Sequence, residues 1–431
     1  VTGTSAGILG RVNPNGHATT SWFQYGRSKH YGSHTPGRPV GAGRRLRTIA
    51  AALAQLAPLT TYHFRLVASH CRGCRSGTAY GADGTFTTGG YENPVFTRSS
   101  IADPFVLADE GTTGYWAYST GERFPVLHST DLVHWRFAAR ALPQRPAWVL
   151  ATGDWHPWAP HVVTDDRPCP NTTSSTCYVM FYTGLSAQFR TNCIGVATAT
   201  TPRGPFVDQG PLSNGVLDAA GRPIGCGDDA GYGMIDPSVF TDPATGVHYL
   251  YGSEDFACPQ SSSLCTSQTS VLQPTISLIP LADDYLTATG PRTPLITGDP
   301  GTWEATTVAA ATVEGPSVTV HNGTYYLLYS GGNWRSSYGM GYATAASPTG
   351  PFTKSPRNPI MAQTARVFSP GGADSIVTGP HGGTWLVYHG RTAPTADRML
   401  RLDAFSWQPA APGPDVPVIA GPTSAPQPTR P

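Results

Sequence analysis

One unit recurs five times along this chain, and the recurrence limits the fold more than any other feature of the sequence. The clearest copy spans residues 313–330. A β-prone run, Val313-Glu314-Gly315-Pro316-Ser317-Val318-Thr319-Val320, meets a turn at His321-Asn322-Gly323-Thr324. It returns as Tyr325-Tyr326-Leu327-Leu328-Tyr329-Ser330. Asn-Gly between two such runs signals a tight hairpin, because both residues tolerate positive φ. Ala102-Asp103-Pro104-Phe105-Val106 leads in the same way to Tyr115-Trp116-Ala117-Tyr118-Ser119. Trp158-Ala159-Pro160-His161-Val162 leads to Tyr178-Val179-Met180-Phe181-Tyr182. Ile235-Asp236-Pro237-Ser238-Val239 leads to His248-Tyr249-Leu250-Tyr251. Ser369-Pro370-Gly371-Gly372 leads to Thr384-Trp385-Leu386-Val387-Tyr388. Four copies continue into a third run, such as Ile194-Gly195-Val196-Ala197. Short meanders bury their faces only by stacking on one another. The expected fold is therefore all-β, a five-bladed β-propeller.

Geometry then gathers residues that lie far apart in sequence. The first strand of each propeller blade lines the central axis. Asp103, Asp236 and Glu314 fall at the mouths of the first strands of blades one, three and four, where this alignment gives them one shared slot. A single Asp before Pro is an ordinary turn residue. Three acids in equivalent slots of a ring point instead to a site at one end of the axis.

The contexts Ala102-Asp103-Pro104, Ile235-Asp236-Pro237-Ser238 and Glu314-Gly315-Pro316-Ser317 resemble glycoside hydrolase family 43. The likeness extends to Trp158-Ala159-Pro160, Ser129-Thr130-Asp131-Leu132-Val133-His134-Trp135, Gly204-Pro205-Phe206 and Gly350-Pro351-Phe352, and covers residues 93–422. It implies a five-bladed propeller that hydrolyses glycosides with inversion. It implies Asp103 as general base, Glu314 as general acid and Asp236 as a third carboxylate that tunes and orients the acid. Inverting chemistry sets base and acid roughly 6.5–9.5 Å apart, so that water fits between base and sugar. A neighbouring anion helps the acid keep its proton.

Substrate contacts are expected from Trp158 at the axis of blade two and from Trp334 and Tyr338 in the loop after the fourth hairpin. His389 and Arg398 of blade five complete the set. Relatives often carry a histidine after Gly-Pro-Gly that helps hold a central ion. Ser369-Pro370-Gly371-Gly372-Ala373-Asp374 lacks it, so neither an axial metal nor a cofactor is expected. Asp228 and Asp229 read as turn acids rather than as calcium ligands.

The remaining features set the context. Formal net charge is +1 and charged residues are 13%, which leaves no field to hold nucleic acid or an anionic membrane. Eight cysteines fall in close pairs (Cys71 with Cys74, Cys169 with Cys177, Cys193 with Cys226, Cys258 with Cys265). That pattern suggests disulfides and a secreted protein, although eight cysteines allow many connectivities. Residues 1–89 read as a separate β-sandwich. There Leu56-Ala57-Pro58-Leu59-Thr60-Thr61-Tyr62 resembles the tyrosine corner of a fibronectin type III module. Such a module serves as spacer or attachment, and the sequence offers no exposed aromatic triplet to bind sugar. The propeller is expected over residues 93–411, followed by an extended Pro-rich tail at 412–431.

The substrate expected for this monomer is a plant-type polysaccharide, with L-arabinofuranose released from arabinan or arabinoxylan. A β-xylosidase or endo-arabinanase of the same family is an alternative. A fructan hydrolase on another five-bladed propeller fits less well, since Ile235 rather than Arg precedes Asp236-Pro237. A non-catalytic polysaccharide-binding propeller would have lost an acid, and all three are present.

Overall fold

The computed structural model describes residues 1–70, 77–109, 114–227, 233–255, 274–307 and 310–428. Cys71, Cys74, Cys258, Cys265, Asp228 and Asp229 lie outside the described residues. Two compact units divide the chain: Val1–Glu92 with Ala425–Arg430, and Asn93–Ser424.

The first unit holds β1 (Ala6–Val12), β2 (Thr19–Gly26), β3 (Ser33–His34), β4 (Arg38–Gly41), β5 (Arg47–Leu53), β6 (Thr61–Ser69), β7 (Thr78–Tyr80) and β8 (Gly84–Thr87). β1 pairs with β5, and β2 and β6 anchor a six-stranded sheet. Apolar alternation sends one face of each sheet inward. Ala6, Ile8 and Leu53 from one meet Phe23 and Tyr62 from the other in a shared core. The Ala57 amide donates to the Tyr62 hydroxyl at 3.0 Å. This is the kind of bond a tyrosine corner makes to backbone a few residues upstream.

The second unit contains five antiparallel four-stranded sheets, each strand pairing with the next in sequence. The first is β9 (Ala102–Asp109), β10 (Gly114–Thr120), β11 (Pro125–Ser129) and β12 (Arg136–Arg140). The second is β13 (Trp158–Asp165), β14 (Cys177–Leu185), β15 (Asn192–Ala199) and β16 (Val207–Pro211). The third is β17 (Gly233–Thr241), β18 (His248–Asp255), β19 (Thr275–Leu281) and β20 (Thr293–Thr297). A short hairpin, β21 (Ala305–Thr307) and β22 (Ala310–Ala311), precedes the fourth. That sheet is β23 (Val313–His321), β24 (Thr324–Gly331), β25 (Gly339–Ala345) and β26 (Thr353–Lys354). The fifth is β27 (Phe368–Thr378), β28 (Thr384–Arg391), β29 (Met399–Gln408) and β30 (Val416–Ile419).

The first strands neighbour one another in cyclic order, β9 to β13, β17, β23, β27 and back to β9. Each apolar core cluster is shared by consecutive sheets. Phe105, Tyr118 and Phe124 of the first sheet and the turn before its third strand meet Met180 and Tyr182 of the second. Tyr326 and Leu328 of the fourth meet Leu386 and Tyr388 of the fifth. Each fully buried side chain of this size contributes about 1.5–3 kcal/mol. The stacking that the meanders required is thus where the stability lies. The Asn322-Gly323 turn has φ of +48° and +77°, as the hairpin signal predicts.

The stretch expected to be a Pro-rich tail belongs to the fold instead. β30 pairs with β29, because the fifth sheet needs a fourth strand and residues 416–419 supply it. Asn93 fastens the start of the unit to the same sheet. Its side-chain amide donates to Leu402 O at 2.8 Å and Thr423 Oγ1 at 2.9 Å, and its Oδ1 accepts from Leu402 N at 2.9 Å. Disulfides join Cys169 to Cys177 and Cys193 to Cys226, as the spacing suggested.

Candidate active site

Every first strand of the five sheets carries a kink just before a proline. The ladders slip between Trp158 and His161, Ile235 and Ser238, Glu314 and Ser317, and Phe368 and Gly371. In each kink the residue before Pro has positive φ: Asp103 +47°, Ala159 +42°, Asp236 +53°, Gly315 +59° and Ser369 +46°. Such bulges re-aim side chains and bend the strand. Left-handed backbone strains any residue except glycine.

This register corrects the shared slot. Asp103 and Asp236 are equivalent to each other, but the fourth sheet has Gly315 in their place. Glu314 stands one residue earlier, level with Trp158 and Ile235; the fifth sheet slips twice, so that Gly371, opposite His389, is its counterpart there and Gly372 that of Asp103. An alignment on the acids themselves conceals a one-residue offset that the backbone makes visible.

The kinks are bonded from sheet to sheet. The Ala159 amide donates to Thr120 Oγ1 at 2.8 Å, Asp236 N to Thr183 Oγ1 at 3.1 Å and Gly372 N to Ser330 Oγ at 2.9 Å. The Asp103 amide donates to His389 Nδ1 at 3.1 Å. Each acceptor comes from the second strand of the preceding sheet. At the remaining junction Gly315 N donates to Asp236 Oδ2 at 3.1 Å. Among the described residues, Ser253 Oγ, level with Ile235 on β18, is buried there with no hydrogen-bond partner. Asp236 has taken over a bond that a hydroxyl makes elsewhere.

Asp103, Asp236, Ala159, Gly315 and Gly372 line one small cavity at this end of the ring, of about 20 Å³, enough for a water molecule. Asp103 is held on every side. Arg398 Nη1 lies 3.1 and 3.3 Å from its two carboxylate oxygens, and Thr120 Oγ1 donates to Oδ2 at 2.7 Å. Burial pushes the carboxyl up, but the Arg398 charge and the Thr120 hydroxyl outweigh it. The net effect holds Asp103 well below the usual carboxylate range. Glu314 receives the Tyr338 hydroxyl on Oε1 at 2.7 Å. Burial, and then the charges of Glu314, Asp236 and Asp103, push the Tyr338 phenol far up, so it stays a donor.

The expected substrate residues separate into two groups. Tyr338 and His389 are buried, 3% and 0% exposed. They stack on each other at 5.9 Å, with Tyr338 against Glu314 and His389 against Asp103. Burial lowers the His389 pKa. The neutral ring accepts the Asp103 amide on Nδ1. Trp334 is 39% exposed, and the guanidiniums of Arg335, Arg398 and Arg391 lie 4.7, 5.1 and 5.5 Å from its ring centre. Arg398 thus links the Trp334 rim to Asp103. Trp158 is half-buried and stacks on His156 at 3.8 Å. Trp155, in the loop before it, is fully buried. Among the described residues no cluster of metal-ligating side chains occurs. Thr120, Thr183 and Ser330 join the site without a motif to mark them. Serines and threonines at strand ends carry no signal of their own until the kinks opposite them are known.

A model of the family described as Glycosyl hydrolases family 43 matches residues 91–410. The chain is 29% identical over 314 residues to the beta-D-galactofuranosidase xynD of Aspergillus niger, covering 69% of this chain and 76% of that one. It is 26% identical over 319 residues to a probable arabinan endo-1,5-alpha-L-arabinosidase B of Aspergillus fumigatus, with 68% and 78% covered. Among solved structures, a thermostable family-43 glycoside hydrolase superposes with a TM-score of 0.61 at 26% identity, covering 78% of this chain and 98% of that one.

Proposed function

The chain belongs to glycosyl hydrolases family 43, and on that premise we propose that residues 93–424 form a five-bladed propeller acting as an inverting exo-glycosidase. It releases L-arabinofuranose from arabinan or arabinoxylan. Asp103 takes a proton from water as the water attacks the anomeric carbon. Glu314 gives its proton to the glycosidic oxygen as the old bond breaks. Asp236, through Gly315 N, fixes the backbone that carries Glu314. One observation supports this most directly: Asp103 is kept ionised by Arg398 and Thr120, as a base must be. The disulfides fit an oxidising, extracellular setting, and residues 1–92 are read as a fibronectin type III-like sandwich.

The aglycone has room in a groove beside the site. It shares Thr120 and Arg398 with the surroundings of Asp103 and runs past Phe96 and the exposed Phe137. A second reading, a β-D-galactofuranosidase, is favoured by the A. niger relative. That sugar differs from α-L-arabinofuranose by an added hydroxymethyl carbon on the same ring configuration.

Hydrolysis of the 4-nitrophenyl α-L-arabinofuranoside, β-D-galactofuranoside and β-D-xyloside, and of linear arabinan, tests both, with the released anomer followed by proton NMR. The arabinoside should be preferred and the anomer inverted. Glu314→Gln should lose about 10²–10⁴-fold on arabinan. Preference for the galactoside would select the second reading, and retention of configuration would remove the proposed mechanism.

A further inference from the structure

The net charge of +1 conceals a division. Residues 1–92 carry ten Lys and Arg against two Asp and Glu, while the rest carries 18 against 25. Residues 1–92 are therefore +8 and the remainder −7. The expectation that the chain offers no attractive field holds for the sum and fails for the unit. Arg11, Arg44, Arg45 and Arg47 gather at one end of the β1–β5 ribbon, all exposed. Arg27, Lys29 and Arg38 are exposed around β2 to β4. Among the described residues none of these has a carboxylate within ion-pair distance. Asp83 is occupied by His63 at 2.8 Å and Tyr31 at 3.0 Å.

The outward face of the six-stranded sheet carries a second, independent feature. Phe23, Phe64 and Leu66 point to the core, so the alternate residues of β2 and β6 point away. Trp22, Val67 and Tyr80 form one cross-strand row there, with Gln24 and Arg65 in the next. Tyr80 is 56% exposed. The Arg65 guanidinium lies 4.3 Å from the Tyr80 ring centre and 4.5 Å from that of Tyr31, and Arg65 Nε donates to Gln24 at 2.9 Å. The platform sets two aromatic faces roughly two strand spacings, about 10 Å, apart. The fixed guanidinium lies over the Tyr80 ring, and Val67 between the two aromatics is fully buried. Strand pairing assembles the aromatic set that the linear sequence did not reveal.

We propose that this unit docks an acidic polysaccharide, a chain bearing uronic-acid carboxylates, on the β2–β6–β7 face. Trp22 and Tyr80 stack on sugar faces, Arg65 takes a carboxylate in a bidentate pair, and the exposed arginines supply the long-range attraction. The choice of polysaccharide over other polyanions rests on the glycosidase reading of the second unit.

Affinity electrophoresis of the full chain carrying Glu314→Gln tests the proposal, with polygalacturonate, neutral linear arabinan or duplex DNA in the gel, at about 20 and about 300 mM salt. Polygalacturonate should retard the protein most, and less at high salt. Tyr80→Ala should weaken retention about tenfold at both salts. The triple change Arg44→Gln, Arg45→Gln, Arg47→Gln should weaken it at low salt only. In the Glu314 background Tyr80→Ala should leave hydrolysis of the 4-nitrophenyl glycoside unchanged. Absence of retardation, indifference to Tyr80→Ala, or stronger retardation by DNA would overturn the proposal. Retardation by polygalacturonate in a protein whose wild type cleaves no glycoside would remove the glycosidase reading and leave the docking site standing.

Discussion

Asp103 combines a strained backbone, an amide bonded to a buried histidine, and a carboxylate shared between an arginine and a threonine. Of these, Arg398 has the most readable consequence. Its charge opposes burial and keeps Asp103 ionised. Arg398→Gln therefore raises the Asp103 pKa, and the acid limb of kcat/KM should move up toward the ordinary carboxylate range near about pH 4. A pH profile of the variant checks this, and an unmoved limb would assign that limb to another group. The same depressed pKa stabilises the fold above the unfolded value of about 3.9. That contribution is lost as pH falls through the folded value. Tyr338→Phe removes a hydrogen bond to a carboxyl, of about 1.5–3 kcal/mol if Glu314 is charged. It should lower kcat at least about tenfold with little change in KM. The acids were legible because their Asp-Pro and Glu-Gly-Pro contexts repeat. Tyr338 and His389 are marked by their place in the repeat, but their burial is not. Sequence carries no sign of which aromatic lies beneath a carboxylate and which beside the substrate.

The kinks act at the scale of the strand. Each breaks its own ladder and is bonded again by the preceding sheet, so the joints of the ring and the walls of the site are the same atoms. Thr183→Val leaves the Asp236 amide without its acceptor while nearly preserving volume. The expected loss is about 1–3 kcal/mol of stability, read by urea unfolding, together with lower activity because Asp236 loosens. Thr324→Val, on the rim of the hairpin turn, should do neither. The hairpins themselves were plain from period-two alternation and Asn322-Gly323. The offset of Glu314 was not, since a bulge adds a residue to one strand and no composition rule reports where it falls.

For the whole molecule, the division at residue 92 and the five meanders could be read directly from turn spacing and repeats. The role of residues 416–419 could not. Their proline content suggests an extended tail, and only the unfilled edge of the fifth sheet explains why they order. Covalent closure adds to this. The Cys193–Cys226 bond spans 33 residues, and restricting a loop of that size in the unfolded chain is worth about 3–4 kcal/mol. Cys193→Ser with Cys226→Ser should lower the thermal midpoint accordingly. An unchanged midpoint would mean that the buried sheet contacts alone fix this corner.

Asn93 meets Leu402 and Thr423 at one sheet edge, so the ring ends where it begins. A short linker from residue 424 to residue 93 closes the circle, and a new start can then be cut at the exposed Asn322-Gly323 turn. Such a circular permutant keeps every sheet and every joint between them, since proteins with adjoining ends tolerate this rewiring at exposed turns. The order in which the five meanders are synthesised is then a free variable, separable from the ring they build.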